Sequence, residues 1–560
     1  MLQRLLKPFA EVRREETGAV LLMFLYSFLA MTAYNIVQPI TRSKFISAHG
    51  ADNLPYVLLV SVFLVGLLMQ GYGKLGSLLP GRWLIPATQG LMVVLLVAFW
   101  ALFGTPRGWV ASAFYWFGQI YGILLISQFW TLANLIFDPR QAKRVFGFIG
   151  AGSSLGGLVG GSITAFLVQL IGNRQLVLAS AGVLALCAVV VAIIVSRARG
   201  VELSGLERAG EEQGVGGKEA LRMLRESKHL QIIGVVIALT SIGAGLVDQQ
   251  LNMATEAFKG RNETDAMTAV LGQVQVYTSA IGFVIQIWLT SRIQRFLGVG
   301  FALMLLPLGL GATAVIILVN AALWAPILAR VLDKSVRYTV DKTSREILFL
   351  PLPSDLKHKA KPFVDVTVDR FGRALSAILL LVLIAPWGLQ LDWQQISYAS
   401  LGIMAFWIGM AVVAKRGYLK AFRNSLERRD MKPADMRLAV ADLSTVEALV
   451  EELAHPDEQR VLDAIAFLES LDKRHLVTPL LLHHPSAAVR ARALSAMGSV
   501  RPEIAGRWAP AVERLLGDEH PDVRAAAVAA LAGLRGVDAA AMVRPLLASN
   551  DPRVVVTAAV

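Results

Sequence analysis

Residues 18–37 read GAVLLMFLYSFLAMTAYNIV, a run without a single charged side chain. As an α-helix this run is long enough to cross the roughly 30 Å hydrocarbon core of a bilayer. Comparable runs occur at 176–196, 230–247 and 299–319. The whole chain is 55% hydrophobic and 17% charged, and its mean hydropathy is +0.56, values that are typical of a protein surrounded by lipid. The sequence therefore predicts an all-α membrane protein.

Polar, glycine and proline breaks divide the first 420 residues into apolar blocks of spanning length. These blocks lie at 18–37, 55–73, 83–103, 109–136, 147–170, 176–196, 230–250, 269–290, 299–319, 322–349, 362–388 and 395–414. One long charged loop, 197–229, separates six blocks from six, as in the two pseudo-symmetric halves of major-facilitator transporters. We therefore predict a membrane domain of twelve transmembrane helices in a 6+6 arrangement over residues 1–420, with 197–229 as its central cytoplasmic loop.

Basic residues are distributed unequally between alternate loops. Besides the 197–229 loop, the basic set comprises Arg4, Lys7, Arg13, Arg14, Arg140, Lys143, Arg144, Lys357, Lys359 and Lys361. Because basic loops stay on the cytoplasmic side, we predict that both termini are cytoplasmic and that the protein lies in the bacterial inner membrane. The net charge of +13 falls between spans rather than on one compact face, which argues against a nucleic-acid partner.

Beyond Lys415 the composition changes to alanine-rich, charged helix, and an internal repeat becomes visible. Four segments align, namely AHPDEQRVLDAIAFL, HHPSAAVRARALSAM, EHPDVRAAAVAAL and NDPRVVVTAAV. Arg460, Arg490 and Arg524 then recur at spacings of 30 and 34 residues. A period near 30, with a proline where each repeat begins, is typical of stacked helix pairs.

This repeat predicts a soluble α-solenoid of the HEAT type over residues 447–560, preceded by a linker over 421–446. The sequence ends at Val560 inside a repeat, so we expect the array either to continue or to have its last apolar face covered by a partner. Solenoids present extended concave surfaces. A cytoplasmic protein partner is therefore expected for this segment.

Polar residues inside the spans are the first candidates for function because they are costly to keep in lipid. Gln119 lies in span four, within FYWFGQIYG, and Asp248 ends span seven, within AGLVDQQLN. Span ten continues into RVLDKSVRYTVDKTSREILFLPL, which carries Arg330, Lys334, Arg337, Asp341 and Arg345 at intervals of three to four residues. Span eleven opens with KPFVDVTVDRFGRAL, which carries Asp365, Asp369, Arg370 and Arg373.

Spacing along the helix divides these residues into two groups. Three i,i+4 pairs near the cytoplasmic ends of the spans are predicted to act as a gate, namely Asp333/Arg337, Asp341/Arg345 and Asp369/Arg373. Arg370 has no such partner, because Asp365 and Asp369 stand at poor spacings for contact with it. A guanidinium inside a span needs an anionic partner or a watery cavity. We therefore expect Arg370 to grip the anionic part of a substrate.

The sequence contains no recognisable metal-ligand cluster, phosphate-binding loop or catalytic constellation. We expect no cofactor and no enzymatic activity. Span five contains small-xxx-small spacings, formed by Gly150, Gly152, Gly156, Gly157, Gly160 and Gly161. Such spacings predict close packing of this helix against its neighbours.

The sequence resembles the ATP/ADP translocase (nucleotide transporter) family of plastids and intracellular bacteria over most of the membrane domain. The similarity is clearest in YNIVQPITRSKFISAHGADNLPY, FYWFGQIYG, FWTLAN, QAKRVFGFIGAG and RYTVDKTSREILFLPLPSDLKHKAKPFVDVTVDRFGRAL. The resemblance implies a major-facilitator-like fold, ATP binding and nucleotide transport.

The family has four charged positions that are important for nucleotide exchange. Carried over one by one, the resemblance implies a substrate site at Arg42 (or its neighbour Thr41), Gln119, Asp248 and Arg370. Asp248 and Arg370 keep the sign of the family's charge, whereas Gln119 keeps the shape of a glutamate and loses its charge. We therefore expect the substrate, its charge or the coupling mode to differ from strict ATP/ADP exchange.

The sequence leaves three functions open. The first is a secondary transporter that moves an anionic, phosphorylated solute such as a nucleotide by alternating access, through a midplane cavity in which Asp248 balances the charge of Arg42 and Arg370. The second is translocation of a phospholipid or another amphipathic anion. The third is a non-transporting, membrane-anchored scaffold or receptor that acts through its HEAT repeats. The lipid bilayer surrounds the spans in all three.

Overall fold

A computed structural model gives the fold of the chain. It describes residues 16–78, 81–104, 107–197, 227–286, 290–352, 363–428, 443–498, 502–535, 544–548 and 552–559, together with 222, 224, 225 and 361. The basic N-terminal segment, nearly all of the 197–229 loop, Lys357, Lys359 and much of the predicted linker lie outside these residues. Throughout the described part, the regular secondary structure is helical.

Within the described residues, twelve α-helices lie in the part of the chain in which spans are predicted. They run Thr17–His49 (α1), Leu54–Leu78 (α2), Gly81–Leu102 (α3), Gly108–Ile136 (α4), Pro139–Arg197 (α5), Lys228–Lys259 (α6), Thr264–Val284 (α7), Thr290–Val319 (α8), Trp324–Val336 (α9), Lys342–Leu348 (α10), Asp369–Ile384 (α11) and Ile396–Arg428 (α12). Two π-helical turns, Arg337–Asp341 and Val364–Val368, join α9 to α10 and precede α11.

Eight stretches of the described chain are long and apolar enough to cross a membrane. They lie in α1, α3, α4, α5, α6, α7, α8 and α12. Helix α5 is interrupted at Gly172, whose φ of 76° and ψ of 161° are not helical, so it consists of two helical arms. Helix α2, the α9–α10 stretch and α11 are not among these eight; α2 with the short turn before it contributes the shorter apolar stretch Ala51–Leu67, and α9, α10 and α11 have 13, 7 and 16 residues.

Helices α1 and α5 pack backbone against backbone. A Cβ atom added at Gly152, Gly156 or Gly160 would lie within 3.0 Å of a main-chain oxygen of α1. The hydroxyls of Ser27 and Ser153 hydrogen-bond across the same contact at 2.5 Å. The predicted close packing of the glycine-rich span is therefore present, and its physical basis is the absence of side-chain atoms at every fourth residue.

The described chain forms two compact units. The first comprises Met1–Leu289, Met304–Lys342 and Lys359–Met410, and the second comprises Thr290–Leu303, Thr343–His358 and Ala411–Val560. The helices of the second unit beyond α12 are Leu443–Glu452 (α13), Glu458–Ser470 (α14), Ala487–Met497 (α15), Pro502–Arg514 (α16), Pro521–Arg535 (α17) and Pro552–Ala559 (α18).

The core of the second unit begins before the predicted repeats. Phe422, near the end of α12, is fully buried with Val446, Leu449 and other apolar residues of α13 to α17. The Tyr418 and Thr445 hydroxyls hydrogen-bond at 3.0 Å. Within the segment predicted as a linker, residues 421–428 are thus helical, and Phe422 and Ser425 are buried.

The recurring arginines bind the turns between helices. The Arg490 guanidinium donates to both carboxylate oxygens of Asp518, at 2.9 and 3.0 Å, and to the carbonyl of His484 at 2.9 Å. Arg524 donates to the carbonyl of Asp518 at 2.9 Å. Burial acts to raise the pKa of Asp518, but the hydrogen bonds from Arg490 and from the His520 amide, together with the positive charge of Arg490, outweigh burial, and the pKa of this carboxyl is lowered. Its stabilising contribution is therefore present at neutral pH and is lost as the pH falls through that lowered pKa.

We predict that Gly156→Ala destabilises the membrane helices whereas Gly150→Ala does not. A methyl group at residue 156 would clash with the carbonyl of Phe28, whereas one at residue 150 meets no atom within 4 Å. The first change should cost about 1–3 kcal/mol through overpacking, and the second should be neutral or stabilising because Ala favours helix. Thermal unfolding of the detergent-purified protein measures both; equal melting temperatures for the two variants would contradict the packing described here.

We also predict that Arg490→Met loosens α15 and α17. The Arg490 and Asp518 side chains are only 13% and 8% exposed, so the carboxylate would lose charge-assisted hydrogen bonds worth about 1.5–3 kcal/mol. Hydrogen exchange in α15 and α17 of the full chain should therefore accelerate by roughly one to two orders of magnitude. Arg553→Met is the control, because its pair with Asp522 is well exposed and should contribute below about 1 kcal/mol.

Candidate functional site

A cationic cavity of about 210 Å³ lies among helices α1, α2, α4, α6, α9 and α11 and the π-turn after α9. Its charged lining residues are Arg42, Asp248, Arg330, Asp333, Lys334, Arg337, Arg370 and Arg373. Six cationic side chains thus face two carboxylates. The uncharged polar groups of the lining include Gln119, Ser241 and Ser376. An excess of positive charge in an enclosed site of this kind favours an anionic ligand.

Asp248 of α6 is shared by two arginines from different helices. Its carboxylate pairs with Arg42 of α1 and, at 2.6 Å, with Arg330 of α9. The Arg42 and Asp248 side chains are only 12% and 15% exposed, so each charge depends on its partner for the solvation that water does not supply. The pairing of these residues therefore connects three helices at the centre of the bundle.

A second carboxylate continues this network along α9. Asp333 accepts from Arg330 at 3.3 Å and pairs with Arg337 one turn later. Asp248 and Asp333 together therefore neutralise part of the charge of three arginines. We refer to Arg42, Asp248, Arg330, Asp333 and Arg337 as the ion-pair chain.

Three cations of the cavity stand outside the ion-pair chain, namely Lys334, Arg370 and Arg373. Lys334 donates from its Nζ to the side-chain oxygen of Gln275 at 3.2 Å. Within the part of the chain that the structure describes, neither Lys334 nor Arg370 has a carboxylate at ion-pair distance. Arg373, by contrast, pairs with Asp369 at 2.8 Å, and Asp369 also accepts from the Ser241 hydroxyl at 2.6 Å.

The structure brings the four predicted substrate residues together, since Arg42, Gln119, Asp248 and Arg370 all line the cationic cavity. Of the six predicted gate residues, Asp333, Arg337 and Arg373 line the same cavity. Asp369 is not a lining residue, but it forms an ion pair with the lining residue Arg373. Asp341 and Arg345 are not among its lining residues.

The π-turn at Arg337–Asp341 explains why the charged face of span ten divides. A π-turn inserts an extra residue into the helical register, so the face that carries Arg330, Lys334 and Arg337 does not continue regularly to Asp341. Arg330 and Lys334 are cavity residues that the sequence prediction left out of the substrate site. Their i,i+4 spacing on one helix face was a usable signal for them.

The end of the bundle near His49 is closed by contacts between α1, the short turn after it, and α6. The Ala51 amide donates to Glu256 at 2.7 Å, and Gln249 donates to the Ala51 carbonyl at 2.8 Å. Arg261 donates to the carbonyl of Ala48 at 2.9 Å. We refer to these residues as the His49-end seal.

Exposure of the lining rises toward the opposite end. The Arg42 side chain at the centre is 12% exposed, whereas that of Arg373, near the start of α11, is 62% exposed. Tyr338 on the facing π-turn is 64% exposed. The cavity is therefore closed at the His49 end and accessible from the end at which α1 and α6 begin.

Family models match both parts of the chain. A model described as TLC ATP/ADP transporter matches residues 84–418, and a model described as HEAT repeats matches residues 476–560. The first match spans more than half of the chain and includes the helices that supply most of the cationic cavity. The second agrees with the predicted HEAT-type repeats.

Individual ADP,ATP carrier proteins also resemble this chain, at low sequence identity. ADP,ATP carrier protein 1 of Chlamydia muridarum is 22% identical over 507 residues, which covers 75% of this chain and 94% of that protein. ADP,ATP carrier protein 4 of Rickettsia conorii is 23% identical over 456 residues, covering 73% and 86%. A crystal structure of a mutant of the nucleoside transporter NupG superposes with a TM-score of 0.51 at 11% identity, covering 72% of this chain and 99% of that one, which shows that the two chains share a fold.

We predict that Glu256→Gln opens the His49 end. The substitution replaces a charge-assisted acceptor of the Ala51 amide by a neutral one. The closed form of the His49 end should therefore lose about 1–2 kcal/mol of stability, which is roughly a 5- to 30-fold shift in population toward the open form. Spin labels at Asp52 and Lys259, in a Cys187→Ala background, report the distance across the seal by double electron–electron resonance. A longer distance should gain population in Glu256→Gln and not in the exposed control Glu263→Gln. Identical distributions in the two variants would show that Glu256 does not hold this end closed.

Proposed function

The chain belongs to the TLC ATP/ADP transporter family, and from this premise we propose that it is a secondary transporter that moves an anionic, phosphorylated solute by alternating access. The observation that carries the proposal is the cationic cavity, in which six Lys and Arg side chains face two carboxylates. A solute without negative charge would leave this excess uncompensated in a largely buried site. A phosphate group supplies several acceptor oxygens and at least one negative charge.

The chemistry of the unpaired cations favours phosphate. Arg370 offers a planar fork that can bind two phosphate oxygens at once, and Lys334 offers a compact point charge. Gln119, on the facing helix α4, can donate to or accept from a polar group of the solute. The named relatives are ADP,ATP carriers, so we propose a nucleotide as the first solute to test. The neutral Gln119 supports a solute charge or coupling mode that differs from theirs.

We propose that the solute competes with Asp248 for its arginines. In the structure Asp248 neutralises Arg42 and Arg330, which lowers the cost of burying them. A bound phosphate would take over part of that neutralisation and loosen the links between α1, α6 and α9. Because these helices also form the seal and the cavity wall, loosening their shared contact would allow the two ends to exchange their open and closed states.

The i,i+4 pairs are proposed to form the gate of the accessible end. Asp369/Arg373 lies where the cavity is most exposed, and Asp333/Arg337 lies on the facing helix. Side chains of this kind can exchange partners between helices when an end closes. Asp341 and Arg345 are proposed as members of the same gate beyond the π-turn, outside the cavity itself.

The topology that fits this function has twelve crossings. The two arms of α5 count separately, and α2, the α9–α10 helix and α11 with its preceding π-turn join the other apolar helices. We propose that both termini and the HEAT domain over 447–560 are cytoplasmic, that the protein lies in a bacterial inner membrane, and that the solenoid recruits a cytoplasmic protein partner. The His49 end would then face the periplasm.

The transport proposal predicts nucleotide exchange in a purified system. Proteoliposomes loaded with ADP should take up labelled ATP, and inorganic pyrophosphate should compete because it presents the same phosphate oxygens to the cavity. Parallel vesicles loaded with phosphate test simpler anions. If no phosphorylated solute moves, and a cytoplasmic protein co-purifies only when residues 447–560 are present, the chain is a scaffold and the transport proposal is wrong.

A matched pair of arginine variants separates binding from gating. Arg370→Gln should weaken pyrophosphate binding at least tenfold, because an unpaired guanidinium would lose its charge-assisted contact. Arg337→Gln should leave affinity within about threefold, since this arginine already has Asp333, while slowing uptake at least tenfold. Isothermal titration calorimetry and the uptake assay measure the two effects. Unchanged affinity in Arg370→Gln together with lost affinity in Arg337→Gln would reverse the roles.

A further inference from the structure

An apolar cavity of about 550 Å³ lies beside the cationic one, among helices α2, α3 and α4. Its described lining is aliphatic and aromatic with the exception of Thr88 and a glycine, and it contains no charged side chain. It is larger than the cationic cavity, for which the corresponding volume is about 210 Å³. The proposed transport function does not by itself account for this space.

Of the polar groups that line the apolar cavity, the Thr88 hydroxyl and the Trp116 indole are engaged within the protein, whereas the buried Tyr121 hydroxyl has no hydrogen-bond partner among the described residues and is a single group. The Thr88 hydroxyl donates to the Leu84 carbonyl at 2.7 Å and accepts from Gln128 at 2.7 Å. The Trp116 indole donates to the Val57 carbonyl at 3.3 Å. A nucleobase placed here would lose its hydrogen bonds to water without an adequate replacement, which is unfavourable. A hydrocarbon chain has no hydrogen bonds to lose, so the cavity is suited to hydrocarbon.

The two cavities meet between α2 and α4. Val65 of α2 and Ile123 of α4 line both of them. On α4, Gln119 faces the cationic cavity while its neighbour Ile120 faces the apolar one. A single molecule can therefore place a charged group on one side of this helix pair and an apolar group on the other.

The apolar cavity also reaches the outer surface of the bundle. Leu91 and Leu95 of α3 line it and are 57% and 38% exposed. Helix α3 has the length and composition of a membrane span, so this surface contacts lipid tails. A hydrocarbon chain can enter the cavity from the bilayer without crossing water.

We infer that the substrate is amphipathic: the apolar cavity holds a single alkyl or acyl chain whose phosphate lies in the cationic cavity beside Arg370. This inference rests on the proposed function and narrows its substrate class to chain-bearing phosphate monoesters. Two features carry it, the adjacency of the two cavities, which share Val65 and Ile123 as lining residues, and the contrast between a cation-rich side and a side without described charge.

Competitive photolabelling distinguishes such a substrate from lipid that merely fills a groove. The probe is dodecyl phosphate with a diazirine at the end of its chain, applied to the full-length protein in nanodiscs, and labelled peptides are located by mass spectrometry. Labelling is expected in α2, α3 and α4, and excess inorganic pyrophosphate should reduce it at least fivefold, because both anions need the cationic cavity. A dodecanol probe with the same diazirine serves as the uncharged control and should not respond to pyrophosphate.

Variants of the protein test separately the site for the phosphate group and the site for the hydrocarbon chain. Arg370→Gln should reduce labelling by dodecyl phosphate at least fivefold. Ala113→Phe, which adds a ring to a cavity-lining position, should reduce it similarly while leaving pyrophosphate affinity within twofold. Ile120→Trp is a second filling variant in case the first does not fold. Val94→Phe is the control, since Val94 is 64% exposed on the same wall and does not line the cavity.

Each result decides between the substrate and bilayer lipid. Labelling that ignores pyrophosphate and Arg370→Gln but falls in Ala113→Phe would show that the cavity holds bilayer lipid only, and labelling that ignores all three would show that the probe does not enter the cavity. Either result would overturn this inference while leaving phosphate transport intact. A wild-type protein that binds no pyrophosphate by calorimetry would overturn the transport proposal together with the inference.

Discussion

The sharing of Asp248 between Arg42 and Arg330 is the contact on which the central site depends. Burial of an ion costs several kcal/mol even after relaxation, and a buried cation that loses its partner destabilises a fold by about 3–5 kcal/mol. One carboxylate here serves two guanidiniums from helices that are far apart in the chain. It therefore links α1, α6 and α9 while leaving the cavity with more positive than negative charge. Both the stability of this site and its attraction for an anion follow from the same pairing.

The contacts around this ion pairing differ in kind: α1 packs tightly against α5, whereas the His49 end is closed by local contacts that can separate. Helix α1 carries Arg42 and lies against the glycine-rich face of α5 at backbone distance, so its position has little freedom. The contacts at the His49 end include hydrogen bonds to main-chain groups of residues 48 and 51, each worth about 1–2 kcal/mol, beside an apolar cluster formed by Phe45, Ile46, Ala51, Leu54, Tyr115 and Met267. A bundle that is rigid within helix pairs and closed at one end by separate local contacts is suited to exchange between two states.

The sequence predicts the elements well because apolar length is a local property. The runs at 18–37, 176–196 and 230–247 all lie within helices, and Arg42, Gln119, Asp248 and Arg370 do line one cavity. The partners of Asp248 could not be read from the sequence, because no periodicity relates residues of α1, α6 and α9. The π-turn at Arg337–Asp341 likewise has no clear signature in the sequence, and it removes the regular continuation of the charged face toward Asp341 and Arg345. The apolar cavity could not be predicted from the sequence, because Leu91, Ile120 and their neighbours cannot be distinguished from lipid-facing residues until the positions of the helices are known.

The central claim is that an anion and Asp248 compete for the same arginines, and binding to Asp248→Asn tests it most directly. Pyrophosphate affinity is measured by isothermal titration calorimetry for this variant and the wild type at equal ionic strength, because screening alters the strength of every charged contact. If the carboxylate competes, its removal frees Arg42 and Arg330 and should tighten binding at least fivefold. Unchanged or weaker binding in Asp248→Asn would show that Asp248 does not compete with the anion, and would contradict the account of the cavity given above.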